Sequence, residues 1–248
     1  MFKGQTIWIV GASEGLGEAL ARALDQQGAR LILSARNRRK LDLLAAELNR
    51  AVSLPMDITD AASVAKAWET DALDMAAEID HIVYCAGAYA PMASSDWDTG
   101  AALSMVDVNF SGALRVLGHV VPAFLTRDRG EITLIGSLAG FRGLPGAIGY
   151  SASKGALMHL GENLAVDLRH TGVRTRIVNP GFIDTRLTRK NNFRMPMLMD
   201  PDTAARHVVT AMTSRRFATS FPRPFSWLFR VAPLLPNWVY LLLFGARA

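Results

Sequence analysis

Tyr150 and Lys154 are four residues apart, in the run YSASK. On a helix that spacing puts a phenol and an ammonium on one face. A nearby cation favours phenolate and draws the phenol pKa down from its ordinary value of about 10. The pair is thus suited to give or take a proton near neutral pH. Ser137 precedes the tyrosine by 13 residues and follows a predicted strand, where the ends of parallel strands build ligand crevices. Its hydroxyl is placed to hold a carbonyl oxygen.

A second group of residues suits a phosphate. Gly11, Gly15 and Gly17 form a GxxxGxG turn (GASEGLG) between a predicted strand and a predicted helix. Glycines let the backbone approach a pyrophosphate, and a helix N-terminus offers free N–H groups and a favourable dipole. An acidic residue at the end of the second strand would bind the ribose 2′-hydroxyl of NAD. The sequence there is Ser34-Ala35-Arg36-Asn37, with a guanidinium in place of the carboxylate. Arginine pairs bidentately with a phosphate, which favours NADP. The cations from Arg36 to Arg39 also sit badly at a helix N-terminus unless an anion joins them.

The elements that must hold these groups are legible as alternating short apolar runs and longer amphipathic ones. Strands are predicted at Thr6–Val10, Arg30–Ala35, Ala51–Met56, His81–Cys85, Glu131–Gly136 and Val173–Asn179, with a seventh at Phe217–Phe221. Helices are predicted at Gly15–Gln27, Arg38–Arg50, Ala61–Asp71, Ala101–Thr126 and Tyr150–His170. Strands apolar on both faces, each followed by a helix, predict a parallel sheet covered on both sides. The fold class is α/β, a Rossmann-type doubly wound parallel sheet with helices on both faces. No Pro-, Gly- or Ser-rich linker divides residues 1–248, so one domain is expected. Residues 182–202 interrupt the alternation, and 215–248 form an apolar extension.

Taken together these residues resemble the short-chain dehydrogenase/reductase family, over roughly Lys3 to Thr185. The parts stand in that family's order: the glycine turn at 11–17, Asp57 after the third strand, Cys85-Ala86-Gly87 after the fourth, Asn109 in a long helix, Ser137, the YxxxK pair, then Pro180-Gly181. The resemblance implies that Tyr150 is the acid/base, that Ser137 orients the substrate carbonyl, and that Lys154 binds the nicotinamide ribose and tunes Tyr150. It implies that Asn109 positions a water in a proton relay and that Asp57 contacts the adenine. Ser13, Leu16, Ile58, Ala86 and Gly87 would line the cofactor cleft with the glycines. Pro180, Gly181, Ile183 and Thr185 would run along the nicotinamide carboxamide and the phosphates. The implied activity is NADPH-dependent reduction of an apolar ketone or aldehyde, or the reverse oxidation of an alcohol, in a homo-oligomer. A rival reading on the same fold is a non-catalytic protein that senses NADP(H) or works at a membrane surface. Two departures stand out. The family usually has Thr where Val10 stands, and Asn-Asn-Ala-Gly where this chain has Tyr84-Cys85-Ala86-Gly87. The missing polar groups brace the sheet around the cofactor in that family.

Composition narrows the classes. The chain carries 27 basic and 22 acidic residues, and half its residues are hydrophobic, enough to build a sizeable core. A single cysteine, Cys85, and scattered histidines at 81, 119, 159, 170 and 207 give neither a disulfide framework nor a metal spacing, so no metal is expected. The opening MFKGQTIWIVGAS lacks a secretory pattern, and a cytoplasmic location is expected. His159 and His207 are read as structural or solvated. Met195, Met197 and Met199 fall where the family has its mobile substrate loop, as adaptable apolar contacts or as ordinary packing. From Arg169 onward there are 13 basic and 3 acidic residues. A basic end attracts nucleic acid, an anionic membrane or an acidic substrate. No nucleic-acid-binding spacing is present, so nucleic acid is set aside. From Phe225 to Phe244, 15 of 20 residues are apolar and Arg230 is the only charge. Three readings stay open for this stretch: core packing, a lid or a subunit interface; a membrane-surface patch with Trp227 and Trp238 at the interface; or a spanning anchor. Pro233 and Pro236 should break it into short helical pieces.

Overall fold

The chain runs β1 (Thr6–Val10), α1 (Gly15–Gln26), β2 (Arg30–Ser34), α2 (Arg38–Glu47), β3 (Ala51–Ser53), α3 (Ala61–Trp68), α4 (Met75–Glu78), β4 (His81–Tyr84), α5 (Thr99–Val106), α6 (Gly112–Thr126), β5 (Gly130–Ile135), α7 (Ile148–Asp167), β6 (Val173–Pro180), α8 (Pro201–Thr213), β7 (Ala218–Phe221), α9 (Phe225–Val231) and α10 (Asn237–Phe244). The structure is a computed structural model that describes residues 1–70 and 74–244. The expected end of the third helix at Asp71, and the last four residues of the extension, lie outside the described residues. The seven strands form one sheet in the order β3-β2-β1-β4-β5-β6-β7, and every pairing is parallel. The order reverses between β1 and β4. At such a switch point the loops leave the strand ends in opposite directions and open a crevice.

Each strand feeds both faces, as its unbroken apolar run requires. Ile7 and Ile9 of β1 and Leu31 and Leu33 of β2 pack under α1, α2 and α8. Trp8, Val10 and Ile32 point the other way, into a second core with Val116, Val120 and Phe124 of α6 and Leu157 of α7. Two pairs of polar side chains caught inside satisfy one another. The Trp8 indole donates to Ser34 Oγ at 2.8 Å, and His81 Nε2 shares a 2.8 Å hydrogen bond with Thr133 Oγ1. Burial, with the charge of Arg176, pulls the His81 pKa down to about 3, so the imidazole is neutral. His159 pairs with Glu162 on the surface, and His207 stacks on Phe221.

The structure departs from the sequence pattern at β3 and in the long helix, and it meets the expectation of short helical pieces in the extension. β3 ends at Ser53, short of the expected Met56, although Leu54 N and Met56 N still donate to Leu33 O at 2.8 Å and Ala35 O at 3.0 Å. The long helix starts at Thr99 and is interrupted at Asp107–Ser111 by a π turn. Such turns insert a residue into an α-helix and recur at functional sites. The apolar extension forms α9, a 3-10 turn at Ala232–Leu234 and α10. The pieces, of 7 and 8 residues, are far below the roughly 20 needed to cross a bilayer. The spanning reading is therefore overturned.

Candidate functional site

The glycine turn is shaped by contact as well as by dihedral. Gly11 has φ +98° and Gly15 φ +60°, both left-handed. A Cβ on Gly11 would lie 2.5 Å from Ala86 N, and one on Gly17 would lie 2.0 Å from Gly11 O. Only bare backbone lets β1, β4 and α1 close up here. Helices α2, α3, α5 and α8 are each capped by an Asn or Asp side chain. Glu14, at the head of α1, makes no such bond. The first N–H groups of α1 are left for whatever lies in the cleft, and the dipole there favours an anion. Ser13, Leu16 and the three glycines line that cleft, whose volume is about 650 Å³.

The cleft runs in two directions from the turn. Toward β2 and β3 it is walled by Arg36, Asp57 and Ile58. Arg36 is exposed. Asp57 Oδ1 accepts from Thr59 N at 2.9 Å and from Thr59 Oγ1 at 2.7 Å. Partial burial raises the Asp57 pKa, but these bonds and the charges of Arg36 and Arg115 outweigh it and hold the carboxyl below its ordinary range. Lys40, one turn past Arg36, lines the same wall and pairs with Glu14 at 2.9 Å. Sequence reasoning missed it, although its spacing from Arg36 was a readable signal.

Toward β4, β5 and β6 the cleft is lined by Ala86, Gly87, Ser137, Tyr150, Lys154, Pro180, Gly181, Ile183 and Thr185. Thr185 lies over the glycine turn, with its Cγ2 3.0 Å from where a Gly15 Cβ would stand. Arg186 reaches back to Glu14 at 2.6 Å. Ser137 closes β5, and its Oγ accepts from Ala139 N at 3.1 Å. Tyr150 and Lys154 share a face of α7, which begins two residues before the tyrosine. Lys154 is 4% exposed, and its Nζ donates to Ile135 O at 2.8 Å.

The electrostatics differ from the sequence expectation. Burial raises the Tyr150 pKa, hydrogen bonding with Ser137 opposes it, and the neighbouring Tyr89 and Cys85 add to the rise. Burial also brings Lys154 down to about 8. The expected lowering of the phenol pKa by Lys154 is thus not met, because desolvation prevails and the ammonium is turned to a backbone carbonyl.

Asn109 lies behind the cleft wall, in the π turn, wholly buried. Its Oδ1 accepts from Ala88 N at 2.7 Å, and its Nδ2 donates to Ala88 O at 3.0 Å and Ser153 Oγ at 2.9 Å. Both side-chain donors are spent on the protein. The implied relay water therefore has no Asn109 side-chain donor, and this side chain fixes the loop beyond Gly87 to α7. The departure at Tyr84 has a physical counterpart here. Its phenol, fully buried, donates to Val108 O at 2.6 Å and so ties β4 to the π turn. Cys85 N keeps the sheet bond to Val10 O at 2.8 Å, and burial pushes its thiol pKa up to about 11.

Tyr89 went unread in the sequence. Its ring meets Tyr150 edge-on at 5.0 Å between centroids, and its phenol donates to Asn191 Oδ1 at 2.7 Å. It thereby fastens the 182–199 segment beside Tyr150. Of the methionines in that segment, Met199 is buried in the core, Met195 Sδ accepts from Asn191 Nδ2 at 3.3 Å, and Met197 is exposed.

Comparison with known proteins adds to this geometry. Residues 5–195 match the sequence model of a family described as short chain dehydrogenase. An uncharacterized oxidoreductase of Myxococcus xanthus (strain DK1622) is 35% identical over 238 residues, covering 94% of this chain and 93% of that protein. Another, of Staphylococcus haemolyticus (strain JCSC1435), is 31% identical over 212 residues, 85% of this chain and 91% of its own. Among solved structures, a short-chain dehydrogenase from Streptomyces avermitilis superposes with a TM-score of 0.83 at 25% identity, over 96% of each chain. One from Burkholderia cenocepacia J2315, in complex with NADP, superposes over 100% of both chains with a TM-score of 0.87 at 24% identity, a likeness of fold.

Proposed function

The chain belongs to the short-chain dehydrogenase family and is an oxidoreductase, and on that premise we propose that it interconverts a carbonyl and an alcohol with NADP(H), running as reduction of an apolar ketone or aldehyde. The observation that carries this reading is one continuous cleft. It joins the uncapped head of α1 at one end to Ser137, Tyr150 and Lys154 at the other. The residues present fit a dinucleotide. The close backbone at Gly11 and Gly17 leaves room for a pyrophosphate at the helix dipole. Arg36, exposed on the wall with Asp57, suits the 2′-phosphate that distinguishes NADPH.

NADPH, when bound, supplies the hydride. The rest belongs to the protein. Ser137 Oγ donates to the substrate oxygen and holds it at Tyr150. Tyr150 Oη gives its proton to that oxygen as the carbonyl carbon is reduced. The raised phenol pKa keeps this proton in place until charge develops on the oxygen, which suits the reducing direction. Lys154 places its positive charge beside the cleft, and Asn109 holds the Gly87–Ala88 loop against α7.

The test is NADPH oxidation over a panel of hydrophobic ketones, with Tyr150→Phe as the control. That change keeps the ring and removes the proton. Turnover should fall by at least about 10²-fold with NADPH affinity retained. Near-normal turnover in the variant would sink the assignment.

A further inference from the structure

The apolar extension turns its hydrophobic side outward. Leu234 is 80% exposed, Leu242 77% and Trp238 70%, and Trp227, Leu228, Val231, Leu241 and Leu243 are exposed with them. Helix α10 has no polar face: after Asn237 every residue is apolar or aromatic, and only Tyr240 is buried. A helix apolar all round belongs in a protein core or in lipid.

This surface is held in place, not loosely draped. Arg142, in the loop after Ser137, donates from Nη1 to Ala232 O at 2.5 Å and Leu235 O at 2.9 Å, and from Nη2 to Asn237 Oδ1 at 2.7 Å. Its guanidinium lies over the Tyr240 ring at 3.9 Å, and the Tyr240 phenol donates to Gly143 O. Phe225 packs on Phe182, which also meets Phe193 of the 182–199 segment. Asn237 and Tyr240 of the extension are thus used inward, against the loops that flank the cleft, and the leucines and tryptophans are presented outward.

Charge identifies the occupant. After Asp202 the sequence has six arginines and no acidic residue. Arg223, just before α9, and Arg230, within it, are exposed. A second copy docked on this face would bring arginines to arginines with no carboxylate from the same stretch to pair them. An anionic lipid surface supplies the missing charge. Exposed tryptophans also suit the lipid–water boundary, where one end of the ring is wet and the other apolar. We propose that α9 and α10 form a monotopic docking face that seats the protein on an anionic phospholipid bilayer, with the loops beside the active-site cleft next to the lipid. The pieces lie in the interface and do not cross it. The proposal stands apart from the reading of the catalytic residues, since it uses none of them.

The full chain should sediment with vesicles of phosphatidylcholine and phosphatidylglycerol, and much less with phosphatidylcholine alone. Binding should weaken as salt rises. Arg223→Gln and Arg230→Gln should each reduce partitioning by about fivefold, the value of one basic group near such a surface. Leu241→Ser combined with Leu242→Ser should reduce it by at least about tenfold. These side chains are exposed, so the melting temperature should stay unchanged in all the variants. Three results would overturn the proposal. One is no binding to the anionic vesicles. A second is equal binding by the wild type and every variant. The third is a lipid-free dimer that the leucine changes dissolve, which would make the face a subunit interface.

Discussion

Arg36 and Lys154 show how a single charge is read through its surroundings. Arg36 is exposed on the cleft wall, whereas Lys40 beside it is paired with Glu14. Arg36→Ala should therefore weaken NADPH far more than NADH, because only NADPH carries the 2′-phosphate. A charge-assisted bond of about 1.5–3 kcal/mol corresponds to roughly 10- to 150-fold. Equal losses in Kd for both cofactors would show that Arg36 does not read that phosphate. Lys154, buried and brought down to about 8, is protonated below that pH and neutral above it. The kcat/KM for reduction should fall as pH rises through about 8, since this ratio reports groups of the free enzyme. Lys154→Arg, whose charge does not titrate, should lack that limb whatever its absolute rate. A wild-type profile flat to about pH 10, the ordinary lysine range, would show that the ammonium is not required.

At the scale of elements, the π turn between α5 and α6 is the least expected feature. It carries Asn109, and four long-range bonds stabilise its position: the Tyr84 phenol to Val108 O, and the Asn109 amide to Ala88 N, Ala88 O and Ser153 Oγ. Gly112 leaves space for the tyrosine, since a Cβ there would stand 2.7 Å from Tyr84 Oη. Tyr84→Phe keeps the ring and removes the hydrogen bond to Val108 O. It should cost about 0.5–1.5 kcal/mol, visible as a lower urea midpoint with an unchanged slope. An unchanged midpoint would mean that the turn is held by its own helix and not by β4. The glycine turn shows the opposite logic. Its shape follows from the residue types themselves, because left-handed φ and a 2.0 Å approach exclude any side chain.

The whole molecule has a built-in acid sensitivity. His81 sits between the two halves of the sheet, bonded to Thr133, with its pKa pulled down to about 3. In the unfolded chain it would take up a proton near pH 6.5. Between those values the unfolded state binds more protons, so stability is full above about pH 6.5 and falls as pH drops toward 3, by about 1.4 kcal/mol per unit from this group. Thermal unfolding followed from pH 7 to 5 should show that slope, and His81→Gln should flatten it while lowering stability overall. The same slope in both proteins would assign the acid sensitivity to the carboxylates.

The alternation of apolar strands and amphipathic helices, the glycine turn, the shared face of Tyr150 and Lys154, and the breaks at Pro233 and Pro236 were all legible in the sequence. Each is set by local chemistry: side-chain period, φ limits, helix spacing and a missing N–H. The class of oxidoreductase was legible too, from motifs in order along the chain. What lay beyond the sequence depends on contacts between distant residues. Tyr89 meets Asn191 across 102 positions, and Arg142 meets Asn237 across 95; no local pattern announces either. The direction of the Tyr150 pKa lies beyond the sequence for the same reason. A charge four residues away is visible in the sequence, but the desolvation that outweighs it exists only once the sheet, α7 and the surrounding loops have closed around the phenol.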